Sequence, residues 1–201
     1  MMHGFCKSVV YKNTKINHCT RLNPTMKSIK TVITGLAVIF FMAFVPAKNH
    51  YVRSGVKHVI QAAPTDNTAS LEQIEKQAFD LVNKHRKSKG LPTLINKDYI
   101  VGQARQHSLD MAMGRVGFGH GGAGARLETI SKSMQEMNAG SENVFYCTGN
   151  YDNLAATALE GWLKSRGHRE NIEGDYNLSG MGVAIAPNGD YYFTQIFVKG
   201  K

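Results

Sequence analysis

An α+β fold, with helices packed on an antiparallel sheet, is what this 201-residue sequence predicts, and three observations predict it. Apolar residues recur at helical spacing in separate stretches of the first and second halves of the folded part. The chain closes on two β-rich runs, "SGMGVAIA" (179–186) and "DYYFTQIFV" (190–198), joined by "PNG", which reads as a hairpin. Helical and strand-like segments interleave without the regular βαβ order that builds a doubly wound parallel sheet, and no glycine loop of the Walker or dinucleotide type is present.

The elements follow in order. Ser70 and Gln73 form a capping box, and Leu71, Ile74, Ala78, Leu81 and Val82 mark one face of a helix that "GLP" (90–92) ends. Its His85, among Lys84, Arg86 and Lys87, is expected on a solvated face. A second helix runs from Asp98 to Met113, with Ile100, Ala104, His107, Met111 and Ala112 on its apolar side. His107 there reads as a hydrogen-bonded core histidine rather than a ligand. "RLETISKSMQEM" (126–137) allows a third helix, and "ENVFYC" (142–147) a short strand with Phe145 facing away from Val144 and Tyr146. A fourth helix, "NLAATALEGWLKS" (153–165), is capped by Asp152 or Asn153 and anchored in the core by Trp162.

Charge separates the chain into regions. Of a net charge of +9, six positive charges (Lys7, Lys12, Lys15, Arg21, Lys27 and Lys30) fall in 1–47, which has no acid. The rest carries only a small excess and no basic, aromatic-interleaved stripe, which argues against a nucleic-acid partner. "MKSIKTVITGLAVIFFMAFVPA" (26–47) has lysines, an apolar run from Thr31 to Val45 and small residues after it, the layout of a secretory signal. At roughly 22 Å as a helix, the run falls short of a bilayer core of roughly 30 Å, so a cleaved signal is favoured over an anchor. Met26 would head a more ordinary leader than Met1. The expected organisation is 1–47 extension and signal peptide or signal anchor, 48–69 linker and 70–201 folded domain. The domain is then secreted or extracytoplasmic, with membrane contact only if 31–46 stays uncleaved as a tether. Cys6 and Cys19 would leave with the signal, so Cys147 is expected as a small buried residue ending a strand.

"GFGHGG" (117–122) sets His120 between glycines that give it little steric cover. With "LVNKHRKSKGLPTL", "ARQHSLDMA", "SENVF", "GWLKSRGHRENI" and "MGVAIA…YYFTQIF", it makes a series that resembles the successive landmarks of the CAP superfamily, or SCP domain: cysteine-rich secretory proteins, venom antigen 5 and pathogenesis-related 1 proteins. The likeness spans about 71–198 and is greatest to the short bacterial branch. It implies an α-β-α sandwich with a central antiparallel sheet, secretion, and a shallow cleft of two histidines and two glutamates. His120, Glu142 and His168 match three of these positions. At the fourth, three residues after Trp162, stands Ser165, and Ser141 replaces the usual glycine before "EN". Glu160 is no substitute, because the helical turn points it elsewhere; it is expected to pair with Lys164.

The chemistry of the trio allows three readings. Two imidazoles and a carboxylate brought together can hold a divalent ion, with His120 and His168 as ligands, zinc as the natural choice and a fourth position left for water; such a centre could activate that water for hydrolysis. The long spacing and the absence of an H-E-x-x-H helix weigh against that, and a metal-dependent hydrolase or protease-like enzyme is kept as the alternative. Without metal, the same side chains form a hydrogen-bond network lining a binding cleft. The favoured reading is an extracellular binding module for a lipid or peptide, with zinc optional and no catalytic residue assigned. Ser165 lacks a nucleophile elbow. Arg169, beside His168, fits equally an anionic ligand or a salt bridge near Glu170 or Glu173, and Gln195 is expected as a buried hydrogen-bonding group close to the histidines.

Overall fold

The computed structural model describes residues 6–13, 66–148 and 152–201. Along the chain run β1 (Cys6–Asn13), α1 (Asp66–Ser88), β2 (Ile95–Asn96), α2 (Asp98–Ala112), α3 (Ala123–Ser131), β3 (Met137–Cys147), α4 (Leu154–Lys164), α5 (Arg166–Ile172), β4 (Leu178–Ile185) and β5 (Tyr191–Gly200). The strands form one sheet in the order β1-β3-β5-β4-β2. Its neighbours are antiparallel except for the two-residue β2, which lies parallel to β4. The expected mixed α/β sandwich is what is observed.

Strand alternation separates the layers. Phe145 of β3, Met181 and Val183 of β4, and Phe193 and Phe197 of β5 pack with Ala78 and Val82 of α1, Ala158 and Trp162 of α4 and Ile172 of α5. The intervening positions Leu178, Ile196 and Val198 meet Ile100 and Ala104 of α2 and Leu127 and Ile130 of α3 on the other face. Trp162 is an anchor as expected, fully buried with Nε1 donating to Val144 O at 3.2 Å. Two glycines bring α2 close: a Cβ at Gly180 or Gly182 of β4 would collide with the α2 backbone at Ile100 and Val101 or at Ala104 and Arg105. Ser108 of α2, 2.9 Å from both Gly182 O and Thr194 Oγ1, fixes that approach.

Several local readings hold to the residue. The buried side of α2 is Ile100, Ala104, His107, Met111 and Ala112, with Ser108 added. Asn153 caps α4, its side chain accepting from Ala156 N at 2.9 Å. In the turn between β4 and β5, Gly189 has φ +87 and Ala186 N donates to Asp190 O at 2.8 Å.

Other boundaries moved. α1 starts at Asp66, inside the stretch read as linker. α3 starts at Ala123 and ends at Ser131, short of Met137. β3 starts at Met137 rather than Glu142: "MNAGS" has little strand propensity of its own but is paired on both sides, with β5 and β1. The chain breaks at Ser165 (φ −96, ψ 125), which ends α4 and begins the short α5. No strand was expected at 6–13, yet β1 pairs with β3 from Cys6 opposite Cys147 to Asn13 opposite Gly140.

His85 and Arg86 are not on a solvated face. His85 Nε2 contacts Glu173 Oε1 at 2.8 Å, and Arg86 is 1 % exposed. Its guanidinium donates to the carbonyls of Pro92, Ile172, Gly174 and Tyr176 at 2.7–3.1 Å, and burial lowers its pKa. Basic sequence neighbours suggested solvent, but a guanidinium with enough carbonyl acceptors can be buried. Among the described residues no helix is long and apolar enough to cross a membrane. The apolar segment 31–46, Cys19 and most of the 48–69 linker lie outside the described residues.

Candidate functional site

Three elements meet at Glu142. It lies on β3 with its side chain 2 % exposed, on the face shared with α2 and α3. The loop between those helices delivers His120, whose Nδ1 lies 2.8 Å from Glu142 Oε1; a carboxylate only accepts, so Nδ1 carries the proton and donates. Gly119 at φ +145 and Gly122 at φ +77 take backbone conformations that a side chain would strain, and so bend the loop around His120.

Two further side chains complete the cluster. Arg126, in the first turn of α3, donates from Nε to Glu142 Oε2 at 2.9 Å and from Nη2 to Oε1 at 2.8 Å. Its Nη1 donates to Gly121 O at 2.7 Å, so one guanidinium ties the glycine loop to the carboxylate. His107 of α2, 2 % exposed, donates from Nε2 to Gly119 O at 2.8 Å and stands 3.8 Å from Glu142 Oε1. It is the hydrogen-bonded core histidine expected, and it also belongs to the site.

Burial by itself would raise the Glu142 pKa, but hydrogen bonds from His120 and Arg126 and the charge of Arg126 outweigh it, and the carboxyl lies below its ordinary value. Burial depresses His107, opposed by the attraction of Glu142 and reinforced by Arg126. The cluster therefore holds an ionised carboxylate, a guanidinium and a neutral His107 at neutral pH.

His168 approaches from the other side of β3. It is buried on α5, and its backbone carbonyl accepts from Asn143 Nδ2 at 3.1 Å. Asn171 of the same helix donates to Asn143 Oδ1 at 2.8 Å. Neighbouring strand residues face opposite ways, so Glu142 engages the His120 loop while Asn143 engages α5. His120 and Glu142 are thus in direct contact, and the backbone at His168 is tied to the residue beside Glu142. Gln195, buried opposite Asn143 across β3 and β5, donates from Nε2 to Ser179 Oγ at 3.2 Å. Glu160 and Lys164 stand 4.0 Å apart on the exposed face of α4. Arg169 donates to Leu163 O at 3.2 Å, closing the C-terminal end of α4.

Beside the polar cluster lies a group of half-buried rings. Phe118, two residues before His120, has its centroid 5.8 Å from that of Tyr146 and 6.4 Å from that of Tyr192, and the two tyrosines are 4.8 Å apart. The Tyr146 hydroxyl donates to Asp190 Oδ2 at 2.9 Å; desolvation and that carboxylate push its pKa up to about 12.

Arg126 went unread in the sequence, where "HGGAGAR" offered only an arginine six positions beyond His120. His107 was placed on the correct face but not connected to Glu142, because that contact depends on how α2 lies against β3.

The profile of the cysteine-rich secretory protein family, CAP, matches residues 79–197. The chain belongs to the CAP family. A CAP-type fold is also seen in an extracellular protein containing an SCP domain from Bacillus anthracis strain Ames, 26 % identical, TM-score 0.53, covering 68 % of this chain and 44 % of that one. An outer surface protein from Borrelia burgdorferi, 19 % identical, shares the fold with TM-score 0.52 over 65 % of this chain and 95 % of its own. The uncharacterized membrane protein YlbC of Bacillus subtilis (strain 168) is 35 % identical over 128 residues, 62 % of this chain. This CAP chain spans 34 % of the length of that relative.

The CAP cleft invites a test for zinc. Both oxygens of Glu142 are engaged by Arg126 and His120, and His120 Nδ1 is spent on the same carboxylate. A cation coordinated by Glu142 would have to displace a guanidinium. Two imidazoles alone fall below the three protein ligands usual for catalytic zinc. Among the described residues no group of three His, Cys, Asp or Glu side chains is arranged to hold a metal. The donor set does not fit zinc.

Proposed function

We propose that this CAP domain is an extracytoplasmic binding module for an amphipathic ligand, a lipid or a peptide, received where the His120–Glu142 pair adjoins the rings of Phe118, Tyr146 and Tyr192. One observation carries the reading: the carboxylate that would serve a hydrolase as metal ligand or base is held ionised by Arg126 at both oxygens. A base in that state is weak and poorly placed to take a proton, whereas a neutralised polar cluster beside aromatic faces suits an apolar body with a hydrogen-bonding head. Tyr146 lies four strand positions from Glu142, about 13 Å, room for several peptide residues or a stretch of acyl chain. In this reading His168 stays on the α5 side of β3, where its backbone carbonyl accepts from Asn143 Nδ2, and it is assigned no contact with the ligand.

Export is supported by the signal-like 26–47 and by the 26 % identical neighbour from Bacillus anthracis, an extracellular protein. The membrane-protein name of the 35 % identical relative accords with 31–46 acting as a tether when uncleaved.

The test is extraction of the full chain purified from its membrane and soluble fractions, with mass spectrometry for copurifying lipid and titration with a fluorescent fatty acid and a peptide panel. Tyr192→Ala and Phe118→Ala should weaken binding about tenfold or more, the loss of one aromatic contact surface. Stoichiometric zinc by elemental analysis, together with hydrolysis lost in His120→Ala and His168→Ala, would overturn the reading.

A further inference from the structure

Three carboxylates are largely buried among the described residues: Glu75, Glu142 and Asp190. Two of them meet a guanidinium, Glu75 that of Arg105 at 2.6 Å and Glu142 that of Arg126 at 2.8 Å. Asp190, 7 % exposed, has no ion pair among the described residues. Its Oδ2 accepts from the Tyr146 hydroxyl at 2.9 Å and from Asn188 Nδ2 at 2.7 Å, while Oδ1 accepts from no described residue. Neutral donors orient a carboxylate but leave its charge in place, and a buried charge without a counter-ion is costly.

The surroundings of that charge are aromatic. Tyr146 of β3 and Tyr192 of β5 are register partners, so their rings share one face of the sheet, with centroids 4.8 Å apart. Phe118 covers them from the α2–α3 loop at 5.8 and 6.4 Å. All three rings are half-buried and keep open surface. Burial first and Asp190 second raise the pKa of both hydroxyls, that of Tyr146 to about 12. Both therefore stay neutral at ordinary pH, and the field of the carboxylate reaches both rings, whose own faces are electron-rich.

We propose that Asp190 and the rings of Phe118, Tyr146 and Tyr192 receive a quaternary ammonium group. The proposal rests on the reading above and adds a charge to the ligand: the part lying on the rings is a cation, and the hydrogen-bonding part stays with His120 and Glu142. The chemistry of the site selects that cation. Calcium and magnesium take about six or more oxygen ligands, which one open carboxylate oxygen cannot supply. A lysine ammonium brings three N–H donors, each needing an acceptor. A trimethylammonium group has none, so it gives up no hydrogen bond on leaving water and is attracted by carboxylate and ring faces through its charge alone. Rings this close leave no gap between them, so the group lies across their open surface. Lys7 of β1 shares the Tyr146 register but precedes the signal-like 26–47, so export removes it or leaves it across the membrane.

The experiment titrates the exported protein, recovered from cells expressing the full chain, with choline and with its neutral isostere, in which carbon replaces the nitrogen. Choline should bind about tenfold more tightly or better. Asp190→Asn can still accept from Tyr146 and should erase that preference. Tyr192→Leu should weaken choline binding about tenfold, the loss of one ring face. Circular dichroism checks that each variant is folded; if Asp190→Asn is not, the isostere and Tyr192→Leu decide. Equal binding of choline and isostere, no choline binding by wild type, choline binding unchanged in folded Asp190→Asn or in Tyr192→Leu, or tighter binding of an N-acetyl-lysine amide than of choline would each overturn the proposal. Dodecyltrimethylammonium and laurate, of equal tail length, separate it from the binding-module reading. Equal affinity for the two leaves that reading standing and sinks the cation site. Choline binding with no gain from either tail or from the peptide panel does the reverse.

Discussion

Arg126 grips the Glu142 carboxylate with two prongs, Nε on Oε2 at 2.9 Å and Nη2 on Oε1 at 2.8 Å, at a point where both side chains are largely buried. Planar guanidinium matches planar carboxylate, so the contact fixes the orientation of α3 against β3 as well as neutralising the charge.

Arg126→Ala is therefore expected to lower stability by about 3–5 kcal/mol, the range for a buried charge stripped of its partner. Glu142→Gln leaves a smaller imbalance, and the double variant Arg126→Met with Glu142→Gln should recover part of the loss. Urea unfolding followed by circular dichroism measures all three. Equal stability of Arg126→Ala and wild type would show that the ion pair contributes nothing.

Acid should unfold the domain in two stages. The depressed values of His107 and Glu142 mean that each binds protons less readily folded than unfolded, so stability falls as pH falls. The His107 contribution is complete above about 6.5 and declines below it, and that of Glu142 declines below about 4.3, their ordinary values. His107→Gln, which can still donate to Gly119 O, should flatten the upper stage. Melting temperatures across the range would expose a flat profile, the result contrary to this expectation.

Gly182→Ala should cost about 1–3 kcal/mol or more, because the new methyl meets α2 backbone and α2 must move off the sheet. Gly121→Ala is the control. A Cβ there meets nothing within 4 Å and its φ is not positive, so its effect should stay within about 0.5 kcal/mol. Comparable losses from the two would contradict the close packing of α2.

Arg86→Lys keeps the charge but cannot reach four carbonyls at once. At about 1–3 kcal/mol for each buried acceptor left without a donor, at least about 2 kcal/mol should be lost. Hydrogen exchange at Ile172 and Gly174 would locate the damage; unaltered protection there would argue that water replaces the guanidinium without penalty.

Much of the fold was legible because it is local. The spacing of Ile100, Ala104, His107 and Met111, the Asn153 cap and the turn at 187–189 follow from the period of a helix, a capping hydroxyl or amide, and a glycine at positive φ. His120 and Glu142 were likewise readable as a pair, from short words in a particular order. The arginine between them was not: nothing in "HGGAGARL" says that Arg126 turns back onto a strand rather than into water.

By itself, the sequence determined the core of α1, α2 and α4, the closing hairpin and the apolar side of α2, since those properties arise from neighbours within a turn or two of backbone, whereas β1, β2 and the first residues of β3 exist through their pairing. The tertiary structure alone decided the partners: Arg126 and His107 at Glu142, Arg86 among four carbonyls, β2 beside β4, and Cys6 opposite Cys147. These contacts join distant parts of the chain, and whether a charge meets its partner or a strand its neighbour depends on how whole layers pack, which no local period encodes.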